Sequence, residues 1–146
     1  MWWRKKKNEE LNIYIEQLQI LKKANLELRN IYAKSVKLPI AKDLIKITNI
    51  SEKIFDELML NKHKIVKMNL FIEYYVQEVI KISNKYIKIK TLKDEESIKL
   101  SNIIEEFINC VVIAFERIYK DLISFDKTEM EISMDILLNE LKEKIK

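Results

Sequence analysis

The stretch Asn61–Tyr86, NKHKIVKMNLFIEYYVQEVIKISNKY, is the most apolar long helical pattern in the chain, and the fold turns on how it is read. Ile65, Met68, Ile72, Val76, Val79, Ile82 and Tyr86 flank an aromatic centre made of Phe71, Tyr74 and Tyr75. Apolar residues recurring at three- and four-residue intervals mark one face of a helix. The stretch therefore reads as one helix, the third of the chain, reaching to about Ile89, and the other segments read as its cover.

Composition supports that reading. The chain has 146 residues, no Gly and one Pro, and its length suffices for one compact domain with a sizeable core. Tight sheet turns and bulges need the positive φ that Gly takes at little cost, so a glycine-free chain rich in Ile, Leu, Lys, Glu and Asn points to helices. The expected fold is all-α, a bundle of about five helices with a long N-terminal helix of coiled-coil character. Residues 1–7 form a basic-aromatic tail and 8–146 a single helical-bundle domain.

Asn8 to Lys34 reads as helix one. Leu11, Leu18, Asn25 and Tyr32 recur every seven residues, and Tyr14, Leu21 and Leu28 follow three residues after the first three. That is a heptad seam with one polar Asn, a residue that fixes register in coiled coils. It can pair within its own bundle or with a second copy of the chain. Ser35 to Leu38 breaks the pattern. Pro39 suits the first turn of helix two, which runs to Leu60 with Ile40, Leu44, Ile47, Ile54 and Leu58 on one face. Thr91 and Asp94 straddle the linker TLKDEES, positioned to cap helix four. Helix four spans about Glu95 to Ser124 and is apolar almost all round between Ile103 and Phe115, which predicts a central place. Asp126 and Glu129 read as a second capping box. It precedes a fifth helix with Met130, Met134, Leu137, Leu138, Leu141 and Ile145 on one side.

The chain opens Met-Trp-Trp-Arg-Lys-Lys-Lys, and the formal net charge of +4 is that of Arg4, Lys5, Lys6 and Lys7, the remainder being balanced. Within the remainder, residues 37–93 have an excess of lysine and 94–146 an excess of acid. The simplest account is basic helices packed beside acidic ones, and the sharper one a basic face aimed at an anionic partner. Trp2 and Trp3 followed by four cations is the pattern of a membrane–cytoplasm boundary, because indoles favour the headgroup layer and Lys/Arg the cytoplasmic side. A spanning helix needs about 20 mostly apolar residues, and no such run follows. The expectation is either the cytoplasmic edge of a removed span or a short interfacial anchor. A disordered basic tail is the plainer alternative.

Catalytic parts are scarce. A phosphate-cradling loop and a nucleophile elbow both need Gly. Cys110, the only cysteine, lies in the apolar run FINCVVIAF and reads as a buried, inert thiol. His63, the only histidine, reads as a surface residue. Glu95–Glu96 and Glu105–Glu106 are sequence neighbours about 100° apart on a helix and do not converge on one metal. No Glu-x-x-His motif of the di-iron bundles occurs. No cofactor is expected, and nucleic acid is an unlikely partner without a reading motif. Phe71, Tyr74 and Tyr75 read either as core or as a helix face that receives a partner helix.

The run Asn61–Tyr86, with Phe71-x-x-Tyr74-Tyr75 at its centre, resembles the 5-bromo-4-chloroindolyl phosphate hydrolysis protein (XpaC-like) family, over about residues 9–145. The family's leucine and proline after the paired tyrosines are Val76 and Gln77 here. Loss of that proline removes a kink, so helix three is expected to be straighter. The resemblance implies a bacterial helical domain, often attached to N-terminal membrane segments and linked with toxic-anion (tellurite) resistance proteins. The family name implies hydrolysis of an indolyl phosphate, for which these residues offer neither nucleophile nor metal site. The leading expectation is a non-catalytic domain at the cytoplasmic face of the bacterial membrane that binds a protein partner in a toxic-anion or envelope-stress resistance system. An aryl phosphatase and a homomeric coiled-coil scaffold are the alternatives.

Overall fold

The computed structural model describes residues 2–124 and 128–145, with side chains described outside 128–133. The fold is an all-α bundle. Its elements are α1 (Trp2–Lys34), α2 (Ala41–Leu60), a 3-10 segment (Lys62–Lys67), a π turn (Phe71–Tyr75), α3 (Val76–Lys90), α4 (Glu95–Ser124) and α5 (Thr128–Lys144). No strand occurs among the described residues.

Around the bundle, α2 neighbours α1 and α4, while α3 neighbours α1 and α4, and α5 lies on α4. Helix α4 thus touches three others, the central place that its apolar stretch calls for. The polar contacts give the directions. Tyr14 reaches Leu58 and Arg29 reaches Glu52, so α1 and α2 run antiparallel. Phe71 meets Phe115 and Tyr86 meets Glu105, so the third and fourth helical regions also run antiparallel.

The heptad seam of α1 is spent inside this bundle. Tyr14, Leu18, Leu21, Asn25 and Leu28 are buried and Tyr32 is half-buried, whereas Leu11, at the seam's N-terminal end, is exposed. Asn25 Nδ2 donates to the Ser51 carbonyl at 3.2 Å, and the Ser51 hydroxyl donates back to Asn25 Oδ1. The polar seam residue therefore fixes the register of α1 on α2 within one chain. On the rim, Arg29 donates to Glu52 through Nε at 2.8 Å and also to Asn49.

Three boundaries differ from the sequence reading. Helix α1 begins at Trp2, so residues 2–7 are its first turns and not a separate tail. Pro39 lies in the turn ahead of α2, which starts at Ala41. The expected straight third helix is a 3-10 segment, a π turn and then α3. The spacing of the buried residues explains the π turn. Phe71/Ile72, Tyr75/Val76 and Val79/Ile80 are all buried, in pairs four residues apart, and a helix of 3.6 residues per turn would rotate such pairs off the core. The wider π turn takes up the difference, with the Val76 amide donating to the Phe71 carbonyl. Gln77, where the resembled family has proline, donates its side-chain amide to the Ile72 carbonyl at 3.1 Å. Asp94 caps α4 by accepting from the Ser97 amide at 3.0 Å, and the Ser97 side chain first, then this amide, hold its carboxyl below the usual range. Of the second capping box, Asp126 lies outside the described residues, as do the side chains of Glu129 and Met130.

Candidate functional site

The first buried residue of α1 is Tyr14, and every residue from Trp2 to Ile13 is exposed. At 1.5 Å per residue the helix extends roughly 18 Å beyond that point. Tyr14 marks the root of the projection: its hydroxyl donates to the Leu58 carbonyl in the last turn of α2 at 2.9 Å, and burial pushes the phenol's pKa up.

The charges on this projection are placed against helix stability. A helix N-terminus carries partial positive charge and favours acids in its first turn, yet α1 has no acid there and has Arg4, Lys5, Lys6 and Lys7 close behind. Trp2 is 76% exposed and Trp3 54%. Arg4 lies 5.4 Å from the centre of the Trp3 ring and Lys6 lies 5.3 Å from that of Trp2. Such cation–π contacts at exposed sites contribute about 0.5–1 kcal/mol each. Neither the charges nor the indoles support the core.

Between the root of the projection and the 3-10 segment runs a groove of about 500 Å³. Leu11, Ile13 and Tyr14 form one wall and Ile65 and Val66 the other, with Lys7, Lys62 and His63 also lining it. Lys62 Nζ lies 5.7 Å from the centre of the Tyr14 ring. The sequence reading did not find this groove. Its signal was faint: Ile13 falls outside the heptad seam and is 55% exposed, and Val66 is 67% exposed.

The aromatic centre of the opening stretch lies mostly inside. Phe71 and Tyr75 are each 1% exposed, and Phe71 meets Phe115 edge-on with ring centres 5.1 Å apart. The Tyr75 hydroxyl donates to Asp135 of α5 at 2.9 Å, and Lys142 of α5 donates to the Tyr74 hydroxyl at 3.0 Å. Within the chain, Phe71 thus packs on α4, and the Tyr74 and Tyr75 hydroxyls bond to side chains of α5. Tyr74 alone of the three keeps appreciable surface.

No protein-family model, curated protein or solved structure matches this chain.

The remaining titratable groups are dispersed. His63 is exposed, and Cys110 is half-buried beside α5 and not fully enclosed as its apolar neighbours suggested, because the adjoining turn of α4 lies near the edge of the α4–α5 seam. Glu105 accepts from Tyr86 at 2.6 Å and Lys90 at 3.0 Å, whereas Glu106 lines a separate groove with Cys110. Burial, then the bond to Glu105, pushes the Tyr86 phenol far up. No group of three or more His, Cys, Asp or Glu side chains suited to a metal ion occurs among the described residues. No helix is long and apolar enough to cross a membrane, again among the described residues.

Proposed function

We propose that this chain is a non-catalytic helical domain that works at the cytoplasmic face of a bacterial membrane, touching the lipid with the tip of α1 and presenting the bundle to a protein partner. One observation carries the reading: two exposed indoles and four cations stand on the part of α1 that projects from the bundle, where the cations oppose the helix dipole and the indoles keep more than half their surface in water. An anionic surface offsets both costs. It neutralises the cations, at about 1 kcal/mol per Lys or Arg near the headgroups, and gives the indoles their preferred layer. Residues 4–10 contain no apolar side chain, so the projection is unsuited to lying flat as an amphipathic helix and meets the surface by its tip. The resemblance to the XpaC-like family, carried by Phe71-x-x-Tyr74-Tyr75, supports a setting in toxic-anion (tellurite) resistance and a partner drawn from that system.

Sedimentation with phosphatidylcholine vesicles containing phosphatidylglycerol tests the membrane part. The chain is expected to pellet with them, and a variant with Trp2→Ala, Trp3→Ala and Lys5, Lys6 and Lys7 changed to Gln is expected to stay in the supernatant. Equal pelleting of the two proteins would defeat the proposal.

A further inference from the structure

We infer that the groove between α1 and the 3-10 segment receives one acyl chain of an anionic phospholipid drawn from the membrane beneath the tip. The inference builds on the membrane reading above and adds a ligand and a site to it.

Size comes first. The groove's volume of about 500 Å³ falls in the range of small-ligand pockets, roughly 300–1,000 Å³. Its walls suit hydrocarbon: Leu11, Ile13 and Tyr14 of α1 line it together with Ile65 and Val66 of the 3-10 segment. The Tyr14 hydroxyl is already committed to the Leu58 carbonyl, so the ring presents an apolar surface and its polar atom is satisfied elsewhere. Ile13 and Val66 are both more than half exposed, and covering such side chains is favourable at about 25 cal/mol per Å² of apolar surface.

Charge decides which amphiphile. Lys7, Lys62 and His63 line the groove, with Glu10 the one acid among its lining residues. A headgroup whose phosphate is its only charge, set beside Lys7 and Lys62, complements that balance better than a zwitterion does. Position links the groove to the membrane. Trp3, Lys7, Leu11 and Tyr14 follow one another at intervals of four, four and three, so they share one face of α1. The face that places an indole at the lipid surface therefore runs into the groove. A partner helix is the poorer occupant: at about 10–12 Å across and 5.4 Å per turn, it would exhaust this volume in about one turn.

Two measurements test the inference and keep its failure distinct from that of the membrane reading. The first uses lysophosphatidylglycerol below its micelle-forming concentration, followed by the backbone amide resonances of the protein. Saturable one-to-one binding is expected, with shifts confined to Leu11–Tyr14 and Lys62–Val66. A double variant, Ile13→Gln with Val66→Gln, should bind about tenfold more weakly with an unchanged melting temperature, since both side chains are exposed. Val66→Trp, which fills the groove, should do the same. Lys62→Gln should cut the preference over lysophosphatidylcholine about fivefold. Absence of saturable binding, equal binding of the double variant, equal binding of the zwitterion, or shifts produced there only by an acidic amphipathic peptide would each overturn the assignment. The second measurement is the vesicle sedimentation above. Pelleting without monomer binding sinks the groove and leaves the membrane reading standing. Monomer binding without pelleting does the reverse.

Discussion

The molecule holds two aromatic groups that use their rings in opposite ways. Phe71 and Tyr75 are enclosed, with Phe115 and Asp135 of the same chain as partners. Trp2 and Trp3 are exposed, and the contacts at their rings are with the cations Arg4 and Lys6. The apolar centre of the sequence thus builds the bundle, while the two indoles stand exposed on the part of α1 that projects from it. The difference can be broken by truncation. Phe71→Ala should lower unfolding free energy by about 3–5 kcal/mol, as removal of a buried aromatic ring does, in urea denaturation followed by circular dichroism. Trp2→Ala with Trp3→Ala should change it by no more than about 0.5 kcal/mol. Comparable losses in the two variants would mean that the tip contributes to folding and is not held for a separate surface.

The same contrast applies to charge. Lys5, Lys6 and Lys7 are exposed on the projection, where at about 1 kcal/mol each they should dominate attachment to anionic lipid. Changing all three to Gln is expected to lower vesicle partitioning on the order of a hundredfold, and raised salt should weaken the unmodified protein in the same direction. Matched changes at Lys22, Lys23 and Lys99, exposed positions of the bundle itself, should leave partitioning within about twofold if the tip alone meets the surface. An equal loss from both sets would replace tip contact by diffuse charge attraction.

Much of this architecture was legible because helix signals are periodic and local. Glycine's absence argued against sheet, the bounds of α4 followed from Asp94 and the apolar run, and the α1 seam gave its buried face. The central break was not legible. A π turn depends on how pairs at 71/72, 75/76 and 79/80 must all face the core shared with α1 and α4, which is a tertiary demand, and local pattern reads the same letters as one helix. The groove was hidden for a similar reason: Ile13 and Val66 are far apart in sequence and look like stray surface residues until α2 brings the 3-10 segment beside α1.

Asn25 sharpens the question of what the seam is for, with a smaller effect. Asn25→Ala leaves the Ser51 hydroxyl without its acceptor in a buried place, so a loss of about 1–3 kcal/mol is expected. Ser51→Ala in the same protein should recover part of it, because both ends of the bond are then gone. Light scattering on the variant distinguishes the intramolecular seam from a seam shared between copies. An unchanged mass fits the packing of α1 on α2, and a shift from dimer to monomer would show that Asn25 sets register between chains.

The smallest expected effect concerns three adjacent residues beside the groove, Lys62, His63 and Lys64, whose fates differ within one turn. Lys62 and His63 are exposed, whereas the Lys64 side chain is 4% exposed and donates to Glu57 at 2.8 Å. Asn61 donates to the same carboxylate at 2.7 Å. Lys64 first, then its charge and the Asn61 bond, hold the Glu57 carboxyl below its ordinary value of 4.5 against the opposing pull of desolvation. The folded state therefore binds this proton more weakly than the unfolded chain. The resulting stabilisation is complete above the unfolded value and is lost as pH falls through the lower folded one. Stability measured by urea titration should accordingly fall below about pH 4.5, and Lys64→Met should flatten that part of the fall, since the carboxyl then loses the partner that depresses it. Lys62→Met should leave the acid limb unchanged. If instead Lys62 and Lys64 alter it alike, the two lysines share one electrostatic environment, and the division between a lysine used by the fold and a lysine left for the groove does not hold.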